Sequence, residues 1–406
     1  MDAFIRRVSS IDRRVVIVGT IVAAALIIVL RKPDSLQNPQ FFAEDGTVFF
    51  IGARQLGLVA FVKSYGGYLH LFPRFVAWGA SYVDPLWVPA IYNFTGLCMN
   101  VLVVAVLLSP RVRLPAKPAL ALAYALVPHT GEVFMSLTNV QWCLALVLVL
   151  LLLADDAATT TQRVFDAGIV IICGLTGPFI CFLFPVFVVR TALRRSYESR
   201  RLSILALVIA TVQAIYLYSN RGHFMRSMPA DYYELISAMV GRLYGTFCMG
   251  YGIPRISKSP IWIAVGAISV VLTAWVSFRP GLWRIQRAMI SLAWLGFVLP
   301  VSVKFLHEAA VIGDPGNGDR YFFLPHVLLA WLIVIAIVEL FRWWRLLPAA
   351  LLMASLASNL RHLRAAPLHD YAWATHVQAI REGDAFEIPI NPSGLMLEGR
   401  ARNPAR

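Results

Sequence analysis

Two adjacent carboxylates, Glu44 and Asp45, occur in the stretch FFAEDGTVFF at 41–50, between pairs of aromatic residues. A carboxylate can act as a general base that removes a proton from a hydroxyl or an amine. Aromatic neighbours exclude water from a carboxylate, and this desolvation raises its pKa and makes it a better base. The alternative is structural, because acidic residues favour a helix N-terminus and Asp can cap one. The stretch therefore predicts a catalytic base or the start of a helix.

A third carboxylate and a set of cations occur in other polar segments. Glu132 lies in PHTGEVFMSLTNVQW at 128–142. Arg320 comes after the turn-rich sequence GDPGNG and directly before Tyr321, at the start of an apolar run. A guanidinium in that position could bind a phosphate through two parallel hydrogen bonds. The other cations expected on the same side are Arg54, Lys63, His70, Arg74, Arg221, Arg242, Arg255, Lys304 and His307.

These residues belong to a strongly apolar chain. Of its 406 residues, 59% are hydrophobic and 14% are charged, which is more apolar surface than one soluble core of this length could bury. The sequence therefore predicts an integral membrane protein. The net charge of +14 does not indicate a nucleic acid partner, because Lys and Arg occur in short clusters between apolar runs and form no continuous basic face.

About eleven apolar runs could cross a bilayer, for which a helix needs about 20 residues, or fewer inside a bundle. The runs are 15–30, 86–108, 118–128, 140–154, 164–176, 178–190, 202–219, 260–278, 288–303, 321–340 and 346–358. We expect an all-α polytopic domain at 1–358, with surface helices in a first outer loop at 31–85, and a tail at 359–406. The Gly-Pro pair at 177–178 predicts either a tight turn or one broken helix.

Clusters of Lys and Arg between the runs predict the orientation, since short cytoplasmic connections are enriched in them. If every run crosses once, all the clusters fall on the cytoplasmic side. They are Arg6, Arg7, Arg13 and Arg14; Arg111, Arg113 and Lys117; Arg194, Arg195, Arg200 and Arg201; and Arg279, Arg284 and Arg287. The N-terminus is then cytoplasmic, and the first loop and the tail are periplasmic in a bacterial inner membrane.

The order of these features resembles the GT-C superfold of glycosyltransferases that use polyprenyl-phosphate sugars, which includes aminoarabinose and protein O-mannosyl transferases. A short first helix is followed directly by AEDG, then by a long first loop and a bundle of spans. The segment at 128–142 resembles the second outer loop of these enzymes, and GDRYFFLP at 318–325 resembles the outer start of a late span. FEIPINPSG at 386–394 resembles a tail motif of bacterial members.

The resemblance implies an activity and a set of catalytic residues. A sugar would pass, with inversion, from a polyprenyl-phosphate donor to a lipid-linked or cell-envelope glycan acceptor on the periplasmic face. Asp45 would be the base, and Glu44 is the neighbouring candidate because many members have the order Asp-Glu. Glu132 would lie near the acceptor or a metal. A divalent metal is possible in this family but not required, and no pair of histidines here has zinc spacing.

The donor is an anion with a lipid phosphate as its leaving group, so it needs cations at the bilayer surface. Arg320 and Tyr321 are expected to bind this phosphate, together with Lys304, His70 and Arg74. For each of these cations except Arg320, the alternative is contact with lipid headgroups.

Three other functions remain open. A transporter or flippase for lipid-linked glycans places its ionisable residues near the bilayer midplane and often contains inverted repeats, whereas the acidic residues here occur in loops and no repeat is visible. A glycan polymerase or ligase would depend mainly on Arg and His residues of the outer loops. A membrane scaffold would use the loops to bind a partner.

Overall fold

The structure, a computed structural model, describes residues 12–220, 230–252, 256 and 258–399. In these ranges eleven helices, named α1 to α11, coincide with the eleven predicted apolar runs. They are α1 (Arg13–Arg31), α2 (Val88–Leu108), α3 (Lys117–Ala125), α4 (Val140–Leu153), α5 (Thr160–Gly174), α6 (Phe179–Arg194), α7 (Tyr197–Ser219), α8 (Pro260–Phe278), α9 (Arg284–Lys304), α10 (Arg320–Glu339) and α11 (Leu346–Arg361). The predictions for Arg6, Arg7, Arg221 and Arg255 lie outside the described residues.

Seven segments of the described chain are long and apolar enough to cross a membrane by themselves. Six of them contain α1, α2, α7, α8, α9 and α10, and the seventh is Asp45–Val62 in the first loop. Helix α3 has 9 residues and α4 has 14. A helix rises about 1.5 Å per residue, so α3 covers roughly half of a hydrocarbon core about 30 Å thick. The chain has the character of a polytopic membrane protein, and eleven crossings remain a prediction.

Successive helices of the bundle run between the same two ends. At one end Arg31, the last residue of α1, donates to the carbonyls of Ala125, the last residue of α3, and of His129 in the loop that follows. At the same end Thr130 donates to Asp319 just before α10. We call this end of the bundle the Glu44 end, because Glu44 lies there beside the 126–139 loop and the start of α10. At the opposite end Arg111 pairs with Asp166 of α5.

The described members of the basic clusters lie at the opposite end, where acidic side chains partly balance them. Arg190 and Arg194 of α6 pair with Asp156, and Arg287 of α9 pairs with Glu339 of α10. The clusters therefore share one end of the bundle, as the predicted alternation requires. The side of the membrane on which this end lies remains a prediction.

Two helices form the centre of the bundle. Every residue of α4 is buried, and α4 packs against α2, α5, α6, α9 and α10. Helix α10 is buried from Phe322 to Ala336. By contrast, α8 has only Gly266 and Ser277 buried, so its apolar surface faces outward, as expected where lipid is the solvent.

The chain between α5 and α6 makes a tight turn, which decides between the two forms predicted there. Helix α5 ends at Gly174 and α6 begins at Phe179. Gly177 has φ +95°, a conformation that favours glycine because it has no Cβ. Gln213 of α7 fixes this turn to the first loop, since its amide donates to Gly174 and Gly177 and its oxygen accepts from the Leu69 N–H.

Short helices make up the first loop. Asp45–Phe50 is wound as a π-helix, Ile51–Leu56 as an α-helix and Gly57–Val62 as a 3₁₀ helix, and a further α-helix covers Leu71–Ala80. Single turns of π-helix occur frequently at functional sites because they redirect side chains. In this loop the π-turn begins at the conspicuous acidic pair.

The tail after α11 packs onto the first loop. It contains a helix at Trp373–Glu382 and an antiparallel hairpin of β1 (Phe386–Ile390) and β2 (Leu395–Gly399). Its apolar side chains share one hydrophobic core with those of the first loop, separate from the core of the bundle. The members of this second core include Phe41, Phe49, Phe50, Trp373, Val377, Ile388, Ile390 and Leu397.

Candidate functional site

A cavity of about 810 Å³ opens among the loops and helix termini at the Glu44 end. Its polar side chains come from the first loop, the 126–139 loop and the adjoining ends of α4, α9 and α10. They are Glu44, Tyr65, Tyr68, His70, Thr138, Asn139, Gln141, Lys304, His307, Glu308, Arg320 and Tyr321. The apolar wall is formed by Trp142, Phe179, Phe182, Leu217, Phe297, Leu299, Val301 and Val303. The cavity is therefore amphipathic, with charged groups beside a wall of aromatic and aliphatic side chains.

The two residues of the acidic pair have different surroundings. Glu44 lines the cavity, where its Oε1 accepts a hydrogen bond of 2.8 Å from the Tyr65 hydroxyl. Asp45 is only 1% exposed, and its Oδ1 accepts from the backbone N–H and the hydroxyl of Thr138, at 2.7 and 2.5 Å. Asp45 thus fixes the start of the π-turn to the 126–139 loop. The structure gives Glu44 access to the cavity, which differs from the sequence-based choice of Asp45 as base.

Glu132 and Arg320 form an ion pair, with 2.5 Å between Glu132 Oε1 and Arg320 Nη1. Both side chains are partly exposed, 22% for Glu132 and 34% for Arg320. Burial raises the pKa of Glu132, and the charge of Arg320 opposes this rise. The sequence predicted that these two residues belong to one site, and the structure brings them into direct contact.

Arg320, Tyr321 and Lys304 form a cationic and aromatic group at the cavity. The Arg320 guanidinium and the Lys304 ammonium lie 5.4 and 5.2 Å from the centre of the Tyr321 ring. That ring also packs edge-on against Trp142 at 5.6 Å. Cation–π contacts of this kind hold positive groups in place without neutralising their charge. Lys304 and Arg320 therefore lie together beside the apolar wall, with Arg320 also paired to Glu132.

Lys32, directly after α1, is close enough to the carboxylates of Asp45 and Glu132 to feel their charges. It is 9% exposed, and its ammonium lies 5.8 Å from the centre of the Phe42 ring. Burial lowers its pKa, while the negative charges of Asp45 and Glu132 oppose this decrease. Its position directly after an apolar run is the usual signature of an interfacial lysine, so the sequence did not distinguish it.

His70 and Arg74 differ from the cations expected in the first loop. His70 lines the cavity, but burial lowers the pKa of its imidazole to about 3, so the ring is neutral near pH 7. Arg74 is 3% exposed, and its guanidinium donates to the carbonyls of Val48 and Lys63. Arg74 therefore supports the short helices from inside. Neither side chain presents a positive charge to the cavity.

A buried network behind Arg320 was not predicted. Asp319, 1% exposed, accepts from the Thr130 N–H at 2.7 Å, from Arg242 at 2.9 Å and from the Tyr251 hydroxyl at 2.7 Å. Burial alone would raise the pKa of Asp319, but the adjacent His129 and Arg242, with these hydrogen bonds, hold it below its ordinary value. Burial lowers the pKa of His129 to about 4, so Arg242 supplies the opposing charge near neutral pH.

The sequence analysis did not single out six polar side chains of the cavity wall: Tyr65, Tyr68, Thr138, Asn139, Gln141 and Glu308. The signal available for the tyrosines was the glycine pair between them. Gly66 and Gly67 have φ +58° and +87°, and the resulting turn returns the chain so that Tyr65 and Tyr68 exchange backbone hydrogen bonds.

No group of three or more His, Cys, Asp or Glu side chains that could hold a metal ion is found in the described residues. A divalent metal remains open for the site.

No model of a known protein family, no curated protein and no solved structure matches the chain. The function must therefore be argued from the site.

Proposed function

We propose that this protein is a membrane glycosyltransferase that transfers a sugar from a polyprenyl-phosphate donor to a glycan or lipid acceptor. One observation carries the proposal: a single cavity of about 810 Å³ combines the Glu44 carboxylate, the cations Arg320 and Lys304, and an apolar wall. A lipid-linked sugar phosphate has the same division into a negative group, a sugar and a hydrocarbon chain. The chemistry of the cavity is complementary to that of the donor.

The proposed reaction is a single displacement. Glu44 accepts the proton of an acceptor hydroxyl or amine, whose oxygen or nitrogen attacks the anomeric carbon of the sugar. The bond between that carbon and the phosphate oxygen breaks, and the electron pair leaves with the lipid phosphate. Arg320 and Lys304 stabilise the negative charge that develops on this phosphate. Attack opposite the leaving group inverts the configuration at the anomeric carbon.

The choice of Glu44 as the base rests on access. A general base must come within hydrogen-bonding distance of the proton that it removes. Glu44 lines the cavity, whereas Asp45 is buried against Thr138. Asp45 therefore has a supporting role in this proposal, because it holds the π-turn that follows Glu44.

The proposed orientation places the Glu44 end on the periplasmic side of a bacterial inner membrane. The shared location of the basic clusters at the opposite end supports this orientation, because cytoplasmic connections carry the excess of Lys and Arg. A polyprenyl-phosphate sugar that faces the periplasm would then reach the cavity from the surrounding membrane.

The test is sugar transfer by the purified protein in nanodiscs, with a panel of synthetic polyprenyl-phosphate sugars and envelope glycans as acceptors. Glycan profiling of a strain that lacks the protein would identify the sugar and the acceptor to include. Transfer that disappears in Glu44→Gln supports the proposal. Donor movement between leaflets without any new glycosidic bond would contradict it and favour a flippase, and extension of a lipid-linked glycan would favour a polymerase or ligase.

A further inference from the structure

The residues that hold Glu44 in place come from the far end of the chain. Ala43, directly before Glu44, has φ +46°, in the left-handed region that residues with a Cβ seldom adopt. Such a conformation persists only where the surrounding structure stabilises it. Its stabilising contacts are therefore important for the direction in which the next side chain points.

Asn391, in the connection between β1 and β2, supplies these contacts. Its carbonyl accepts a hydrogen bond of 2.5 Å from the Ala43 N–H, and its own N–H donates to the Phe41 carbonyl at 3.3 Å. The backbone of Asn391 is thus hydrogen-bonded to the residues on both sides of Phe42. These two bonds fix the turn from which Glu44 enters the cavity.

The side chain of Asn391 is in turn fixed within the tail. It is 4% exposed, its Oδ1 accepts from the His369 N–H, and its Nδ2 donates to the His369 carbonyl, both at 2.9 Å. Both polar atoms are therefore satisfied by one residue of another tail segment. Replacing the amide would release the β1–β2 connection while leaving its carbonyl in the chain.

The hairpin also packs directly under the π-turn. A Cβ added to Gly46 would lie 3.0 Å from Ile390 Cδ1 and 3.2 Å from Leu397 Cδ1. The tail is thus in close contact with the turn just after the acidic pair as well as bonded to it just before. Glu44 lies between these two points of attachment.

We propose that Asn391 is a positioning residue for Glu44, through which the C-terminal tail completes the catalytic site. The expected effect of Asn391 on kcat rests on the proposed function, whereas its effect on the position of the turn at Ala43 does not. Asn391 does not line the cavity, so it acts through the turn at Ala43 and not by touching the substrate.

The kinetic test uses Asn391→Ala, with Asn391→Asp as a second variant, which keeps the acceptor for the His369 N–H but loses the donor to the His369 carbonyl. We expect kcat to fall about tenfold, because small displacements of a catalytic group reduce rates strongly, while KM for the donor changes less than about twofold, because the cations that bind it are elsewhere. In a Glu44→Gln background the same change should cause no further loss. If Asn391→Ala does not fold, the same kcat and KM measurements are made on Asn391→Asp.

The matched control is Arg381→Gln, which breaks another link between tail and first loop. Arg381 pairs with Asp84, and both side chains lie outside the Glu44 turn. Kcat should be unchanged in this variant. A similar loss of kcat in Arg381→Gln would show that Asn391 supports the tail in general, and it would overturn the inference. The inference would also fail if Asn391→Ala lowered kcat further in the Glu44→Gln background.

Hydrogen exchange separates this inference from the proposed function. The peptide that covers residues 42–50 should exchange faster in Asn391→Ala than in the wild type or in Arg381→Gln. This measurement needs no substrate. A wild-type protein without transferase activity would remove the proposed function, whereas unchanged exchange at 42–50 would remove the role of Asn391.

Discussion

The two residues of the acidic pair have different surroundings and, in the proposed function, separate roles. The Glu44 carboxylate lies at the cavity and bonds to Tyr65, whereas the Asp45 carboxylate is buried and bonds to Thr138. Glu44 and Asp45 are successive residues at the start of a helical segment, and successive side chains of a helix point in different directions around its axis. Substitution of each residue alone can separate the roles.

We predict that Glu44→Gln lowers transfer by about a hundredfold or more, the usual loss when a general base is removed. Asp45→Asn should be milder, because Asn keeps an oxygen that can accept from Thr138. Transfer assays in nanodiscs, with thermal stability as the folding control, measure both. The reverse order, with Asp45→Asn the more damaging and the protein still folded, would return the role of base to Asp45.

For the cation at the start of α10, Arg320→Lys should weaken binding of a polyprenyl phosphate by about tenfold, or roughly 1.4 kcal/mol. Lysine keeps the charge but lacks the planar, paired donors of a guanidinium. Isothermal titration with the lipid phosphate in nanodiscs gives the affinity. Equal affinity of the two proteins would reduce Arg320 to a general electrostatic role.

The ion pair between Glu132 and Arg320 predicts that one substitution strengthens binding of the lipid phosphate. Glu132→Gln should strengthen binding of the lipid phosphate by several-fold, because it removes a negative charge at 2.5 Å from the guanidinium that opposes an incoming anion. The same titration measures this, with the increase reduced at high salt. Weaker binding would instead indicate that Glu132 orients Arg320 or contacts the ligand.

At the scale of the elements, the start of α10 depends on other segments for its position. Asp319 connects this start to the 126–139 loop through Thr130 and to the segment before α8 through Arg242 and Tyr251. A buried carboxylate with this many donors is rigid, since release of any partner leaves a polar group without compensation. Arg320 is the next residue, so its position depends on this network.

We predict that Tyr251→Phe lowers affinity for a polyprenyl phosphate by about threefold, since it removes a donor from Asp319 and loosens the residue before Arg320. Tyr124→Phe is the matched control, because its hydroxyl donates to Asn100 inside the bundle. This control should lose thermal stability without losing affinity. A double-mutant cycle with Arg320→Lys tests whether Tyr251 acts through Arg320. If the two losses of affinity simply add, Tyr251 does not act through Arg320.

The sequence predicted elements better than the directions of side chains. Apolar runs identify helices because burial in a bundle or in lipid requires satisfied backbone hydrogen bonds. The structure has a helix at each predicted run. The tight turn at Gly177 was one of two forms that the sequence allowed. The inward position of Asp45 and the neutral state of His70 depend on residues far away in the chain, which no local pattern contains.

At the scale of the whole molecule, the two ends of the bundle differ in chemistry. One end has the amphipathic cavity and the second core, and the opposite end has the basic clusters with their acidic partners. The alternating helices impose this separation. In the proposed orientation, the distribution of Lys and Arg places the end that contains the cavity on the periplasmic side.

We predict that tags in the loop near Gly66 and in the C-terminal tail report the periplasmic side, and that a tag near Arg195 reports the cytoplasm. Reporter fusions active on only one side of the membrane, or cysteine labelling with an impermeant reagent, provide the measurement. Tags near Gly66 and in the tail that report different sides would contradict the shared end of these segments and the odd number of crossings.

The shared core of the first loop and the tail can form only late in the synthesis of the chain. Phe41 and Phe50 pack against Trp373, and Gly46 packs against Ile390 and Leu397. Domains generally fold as they leave the ribosome, N-terminal parts first, but the segment that carries Glu44 lacks its packing partners until Trp373, Ile390 and Leu397 are made. A chain that stops before Trp373 lacks the core that supports the π-turn, so under the proposed function it would carry an incomplete site and would be inactive.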